Sequence, residues 1–152
     1  MPAGARYWIS EGMLNERIYN SDTNGDGKVD HICFSVNNKF LHPNHPIGWV
    51  RGIDVWIDGE KIDIDRICFV LRGQWIPLRY MRTIRDIWWK AIEDAWIYID
   101  SDGIEPGSAH DVACTLHISL MVHNENIDWK DDYNCLHCEL AEKMIVQEEV
   151  RA

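Results

Sequence analysis

The chain is short of positive charge, short of regularly spaced cysteine, and without a long apolar run. Lys and Arg number 15 against 25 Asp and Glu, a formal net charge of −10. Such an acidic surface repels phosphate backbones and anionic lipid, which argues against nucleic acid or membrane as the principal partner. No apolar stretch approaches the roughly 20 residues of a membrane span. The opening MPAGARYWISEG lacks the apolar core of a secretory signal. The five cysteines, Cys33, Cys68, Cys114, Cys135 and Cys138, are odd in number and irregular in spacing, so they define no disulfide framework. They read as reduced thiols in a cytoplasmic protein. Cys135 and Cys138 bracket a C-x2-C, but no second ligand pair completes a zinc knuckle. A nucleophile elbow, an HExxH helix and a phosphate-cradling glycine loop are all missing, so no self-contained active site emerges.

What is present points to one β-rich domain over residues 1–152, with residues 1–8 and 147–152 as terminal extensions. Hydrophobic residues make up 46% and charged residues 26%, a globular mixture that excludes wholesale disorder. Between 110 and 122 the even positions are His110, Val112, Cys114, Leu116, Ile118, Leu120 and Val122, and the odd positions are mostly polar. That period of two predicts a long strand with one buried face. Ile32, Phe34 and Val36 alternate likewise, as do Ile53, Val55 and Ile57, which run into the hairpin pair Asp58-Gly59. Residues 67–71 and 95–99 are short apolar runs suited to buried strands. Helix is scarce: Met81, Ile84, Trp88 and Ile92 predict a short one within 78–93, and 140–150 suits either a last strand or a short helix. Several short strands with turns between them predict an all-β fold, an antiparallel β-sandwich with little helix.

Three features carry chemistry. The eight tryptophans, at 8, 49, 56, 75, 88, 89, 96 and 129, are numerous for a ring whose N–H needs a partner when buried. They suit an interface or a sugar-stacking surface, or simply a Trp-rich core. The loop over 40–49 holds His42 and His45, each followed by proline and therefore kept extended, and ends at Trp49. The run Asp22, Asn24, Asp26, Lys28, Asp30 places side-chain oxygens at positions 1, 3, 5 and 9, with Gly27 at 6 and the Lys28 carbonyl at 7. That spacing suits a hard cation such as Ca²⁺. Cys33 at position 12 excludes an EF-hand, and a hairpin turn with solvated carboxylates fits the same residues.

From about Ile9 to about Val146 the order of features resembles the small β-subunits of bacterial C-glycoside deglycosidases. The residues that carry the likeness are Ile9, Glu11, Gly12 and Leu14, then Ile53-Asp54-Val55-Trp56-Ile57-Asp58-Gly59-Glu60. Ile67, Phe69, Leu71 and Gly73 follow, then Trp88-Trp89, then Gly103-Ile104-Glu105-Pro106-Gly107-Ser108-Ala109-His110. The resemblance implies a β-sandwich subunit bound to a larger TIM-barrel subunit that holds a divalent metal, typically Mn²⁺. It implies a lyase complex that cleaves the C–C bond between a 3-oxo sugar and an aromatic, commonly flavonoid, aglycone. A ketone at sugar C3 acidifies the C2 proton, a base removes it, and the aglycone carbon is expelled and protonated. This chain would then be non-catalytic. His42, His45 and Trp49 would reach the partner's active-site mouth, with Trp75 and Trp88 as further candidates. The alternatives are a calcium-dependent carbohydrate-binding sandwich and a ligand-free scaffolding domain.

Overall fold

The computed structural model describes residues 8–40, 44–119 and 136–152. They are 56% strand and 10% helical, which makes the chain all-β as its alternation predicts. Strands β1 (Arg17–Ser21), β2 (His31–Asn37), β3 (His45–Pro46), β4 (Val50–Ile57), β5 (Glu60–Lys61) and β6 (Ile67–Leu71) are followed by β7 (Gln74–Pro77), β8 (Trp88–Trp89), β9 (Asp94–Asp100), β10 (Ala109–Ile118) and β11 (Leu136–Arg151). Nine of them form one sheet in the order β5-β4-β10-β11-β1-β2-β9-β6-β7, and β3 pairs with β8 in a separate two-stranded ribbon. The large sheet curls into a half-barrel.

The two layers expected of a sandwich are thus halves of one continuous sheet, and β11 is the reason. Its first part pairs antiparallel with β10, from Leu136 opposite Ile118 to Ile145 opposite Ala109. Its last part runs parallel to β1, from Ile145 opposite Arg17 to Arg151 opposite Ser21, with an irregularity between Ile18 and Asn20. A strand that changes partners at a bulge turns a sheet corner. Residues 147–151, read from the sequence as part of a terminal extension, belong to this strand. Its formers Glu, Ala, Lys and Met favour helix, but Cys138, Leu140, Met144 and Val146 are buried at period two. Strand pairing on both edges overrides the local preference.

The core fills the concave side. In β10 the predicted face holds, with Val112, Cys114, Leu116 and Ile118 buried; residues 120–122 of that predicted strand lie outside the described residues. The Asp58-Gly59 pair turns β4 into β5 with φ of 52° and 81°, the positive-φ pair that a two-residue hairpin demands. Central strand β2 is buried on both faces: Ile32, Phe34 and Val36 enter the core, while Cys33 joins Val70 and Tyr98 in a small second cluster packed by Tyr19, Cys68 and Trp96.

The helix predicted within 78–93 is reduced to a six-residue 3-10 helix, Leu78–Thr83. It packs against β4 and against β6 and β7, which lie towards opposite edges of the sheet, so it bridges the open side of the half-barrel. Its continuation is cut off by tertiary hydrogen bonds. Gly48 N–H donates to the Ile84 carbonyl at 3.0 Å, and the buried Arg51 guanidinium donates to the carbonyls of Gly48 (3.0 Å) and Arg82 (3.1 Å). These bonds hold the 82–84 backbone against residues 48–51, where Ile84 is extended (φ −95°, ψ 118°) and ends the helix.

Candidate functional site

Aromatic residues gather where the β3–β8 ribbon closes one end of the core. His45 sits opposite Trp89 in the ribbon, and Pro46 opposite Trp88. The His45 ring stacks on Trp49 with centroids 5.5 Å apart and planes 7° apart. It meets Phe40 and Trp89 edge-on at 5.7 and 5.8 Å. Trp89 is fully buried against Phe69, and its Nε1–H donates to the Glu93 carbonyl at 2.8 Å. These rings satisfy the edge-to-face preference of aromatic pairs. The structure therefore places His45 and Trp88 on the two strands of one ribbon, with Trp49 in the turn that follows β3 and stacked on His45. His45 is a buried member of the packing, Trp49 is half-buried, and Trp88 is exposed. His42 lies outside the described residues. Trp75 stands elsewhere, on edge strand β7, exposed, against Tyr98 (4.5 Å) and His31 (5.3 Å).

The segment after β8 is held in an unusual backbone. Ile92 has φ 61° and is 76% exposed, an outlier for a β-branched residue. Its N–H donates to the Asn38 carbonyl at 2.9 Å, and its carbonyl accepts from Asn37 Nδ2 at 2.9 Å. Asn38 Nδ2 donates to the carbonyls of Trp89 and Lys90. Arg72, also at positive φ, bridges its guanidinium between both Glu93 oxygens (2.6 and 2.5 Å) and the Trp88 carbonyl (2.8 Å). Burial pushes the Glu93 carboxyl up, but hydrogen bonds from Arg72 and the Lys90 N–H outweigh it and leave the group below its ordinary value. Surrounding contacts thus over-determine the strained turn and present Trp88 and Ile92 to solvent.

The Asp-rich loop is closed by its own backbone. Asp22 accepts from the N–H groups of Gly25 (2.9 Å) and Gly27 (2.8 Å), Asn24 from Asp26, and Asp26 from Lys28. Asp30 accepts from Thr23 N–H and Oγ1–H and faces His31 Nδ1 at 2.7 Å. Its carboxyl is pushed up by burial and, more strongly in total, down by these donors, ending below the usual carboxylate range. Among the described residues no three His, Cys, Asp or Glu side chains are gathered as metal ligands. Calcium at Asp22, Asn24, Asp26, Lys28 and Asp30 rests on spacing alone.

One polar constellation escaped the sequence. His117 on β10 lies opposite His137 on β11, with the two Nδ1 atoms 2.6 Å apart. His117 Nε2 lies 2.8 Å from Asp54 on β4, and Lys61 lies 3.3 Å from Asp54. An ionised carboxylate only accepts, so His117 donates from Nε2 to Asp54, and one proton lies between the two Nδ1 atoms of the His117–His137 contact. Only the register of three strands assembles this chain, and no local motif announces it.

The thiols have no exposed nucleophile among the described cysteines. Cys33, Cys68, Cys114 and Cys138 form no disulfide. Burial pushes Cys33 up to about 11 and Cys138 up to about 12, and moves Cys114 in the same direction.

The half-barrel thus carries the exposed Trp88 and Ile92 at a turn fixed by hydrogen bonds. Residues 23–121 match the family model for the C-glycoside deglycosidase beta subunit; the chain belongs to that family. No curated protein matches the chain significantly. No helix among the described residues is long and apolar enough to cross a membrane. A beta subunit implies an alpha subunit as its partner.

Proposed function

We propose that this chain is the non-catalytic subunit of a cytoplasmic C–C lyase complex. The complex cleaves the bond between a 3-oxo sugar and an aromatic, flavonoid-type aglycone by metal-assisted elimination within a TIM-barrel alpha subunit. The observation that carries this reading is the family match over residues 23–121. In this reading the divalent metal, Mn²⁺, is held by the alpha subunit. Its own residues act by packing. Trp88 and Trp75 offer exposed apolar faces. His45 and Trp49 stack and stiffen the ribbon that carries Trp88, and His42, which precedes it in sequence, is the further candidate for the partner's active-site mouth.

The test is an activity assay on a 3-oxo C-glucoside with this chain alone, the barrel chain alone, and the two mixed. The reading requires full cleavage from the mixture and none from this chain by itself. Turnover by the isolated, homogeneous chain would overturn it.

A further inference from the structure

The charge of this chain is unevenly spread, and its exposed aromatics follow the unevenness. Between 72 and 90 there are five basic residues, Arg72, Arg79, Arg82, Arg85 and Lys90, and one acid, Asp86, a net charge of +4. The rest of the chain holds 10 basic and 24 acidic residues, a net charge of −14. All five basic side chains in the segment are exposed; Arg72 is paired with Glu93 and Arg79 with Asp65, so the excess positive charge rests mainly on Arg82 and Lys90. The same segment carries every exposed aromatic side chain among the described residues: Trp75, Tyr80 and Trp88. Exposed Ile92 follows directly after it.

Three consecutive elements carry this strip: edge strand β7, the 3-10 helix and β8. β7 is an edge of the large sheet, the 3-10 helix packs across its open side, and β8 pairs with β3 in the separate ribbon. Arg, Trp and Tyr are the residue types that dominate interface hot spots. The strip is also pre-organised. Arg72 fixes the Trp88 carbonyl, the Asn37 and Asn38 side chains clamp residues 89–92, and Gly48 and Arg51 pin the 82–84 backbone. Order already present before contact lowers the entropic cost of association.

We infer that residues 72–92 are the docking strip of this chain, and that its occupant is an acidic face of the alpha subunit. The inference rests on the reading above, that a barrel subunit is the partner, and adds where it binds and by what chemistry. A cationic strip on a chain otherwise at −14 orients the approach of an acidic partner and repels the rest of it, which sets register as well as on-rate.

The experiment measures the dissociation constant of the full chain with the barrel subunit for wild type, Trp88→Ala, the double variant Arg82→Glu/Lys90→Glu, and the control Lys143→Glu on β11. Thermal melts of each isolated chain report folding. Trp88→Ala and the double variant are expected to weaken binding at least tenfold with melts near wild type, and the control to bind as wild type. Raising salt is expected to weaken the wild-type complex and to have a smaller effect on the double variant. A wild-type complex indifferent to both strip variants overturns this proposal alone. A wild-type chain that binds no barrel subunit removes the functional reading and this proposal together. Self-association of the isolated chain, abolished by the strip variants, would make the occupant a second copy and likewise overturn it.

Discussion

Gly48 is the position where one added methyl group tests how the docking segment is held. A Cβ built there would lie 2.5 Å from the Ile84 carbonyl oxygen and 3.1 Å from that of Arg82. Both contacts are to backbone, so no side-chain rotation relieves them. Both oxygens already accept hydrogen bonds, from Gly48 N–H and from Arg51. Substitution by alanine must push the 82–84 backbone away and lengthen these bonds together. Overpacking of this kind costs about 1–3 kcal/mol, and each weakened hydrogen bond adds about 0.5–1.5 kcal/mol. The expected loss for Gly48→Ala is therefore about 2–6 kcal/mol, or a fall in Tm of about 4–24 °C for a chain of this size. Differential scanning calorimetry measures it directly. Because the displaced backbone carries the basic strip, affinity for the alpha subunit should fall with it. A variant melting within about 1 °C of wild type would refute the close approach and the pinning built on it.

Other consequences follow from the same contacts. Glu93 sits below its ordinary value, so its contribution to stability is fully present above its unfolded value of about 4.3 and is lost as pH falls through the lower folded value. Melts of wild type and Glu93→Gln should converge in acid and separate towards neutrality, and a gap that stays constant with pH would contradict the Arg72 clip. Iodoacetamide mapping at mildly alkaline pH should leave Cys33, Cys114 and Cys138 unmodified until the chain unfolds, because burial disfavours their thiolates; rapid native labelling of any of the three would contradict the packing. His117→Ala removes the group between Asp54 and His137 and should cost about 2–4 kcal/mol from lost hydrogen bonds and a cavity. A denaturant midpoint unchanged from wild type would show that the constellation is loose.

Much of the fold is legible in the residues because period two is a strong local signal. The inward sets of β2, β4 and β10 and the Asp58-Gly59 turn are found where alternation and turn chemistry place them. The segment 78–93 misleads because its apolar spacing satisfies a helix, whereas Gly48 and Arg51 claim its carbonyls from 30 residues or more away in sequence. β11 is ambiguous for the converse reason: its composition favours helix, and only its two sheet neighbours make it a strand. The curl into one sheet depends on β11 changing partners at a bulge, which no pattern encodes. Trp75 on β7 and Trp88 on β8 are exposed. His45 is a packed ring, because the ribbon pairing that buries it against Phe40 and Trp89 joins residues 44 apart in sequence. The His117–His137 pair is invisible for the same cause, since cross-strand register is a property of the folded sheet.

The account depends on this chain working only as part of a larger particle. Native mass spectrometry of the chain co-expressed with the alpha subunit measures that directly. The account predicts one hetero-oligomer that contains both chains and dissociates when the Arg82→Glu/Lys90→Glu variant replaces the wild type. Two separate species for the wild-type pair would contradict it.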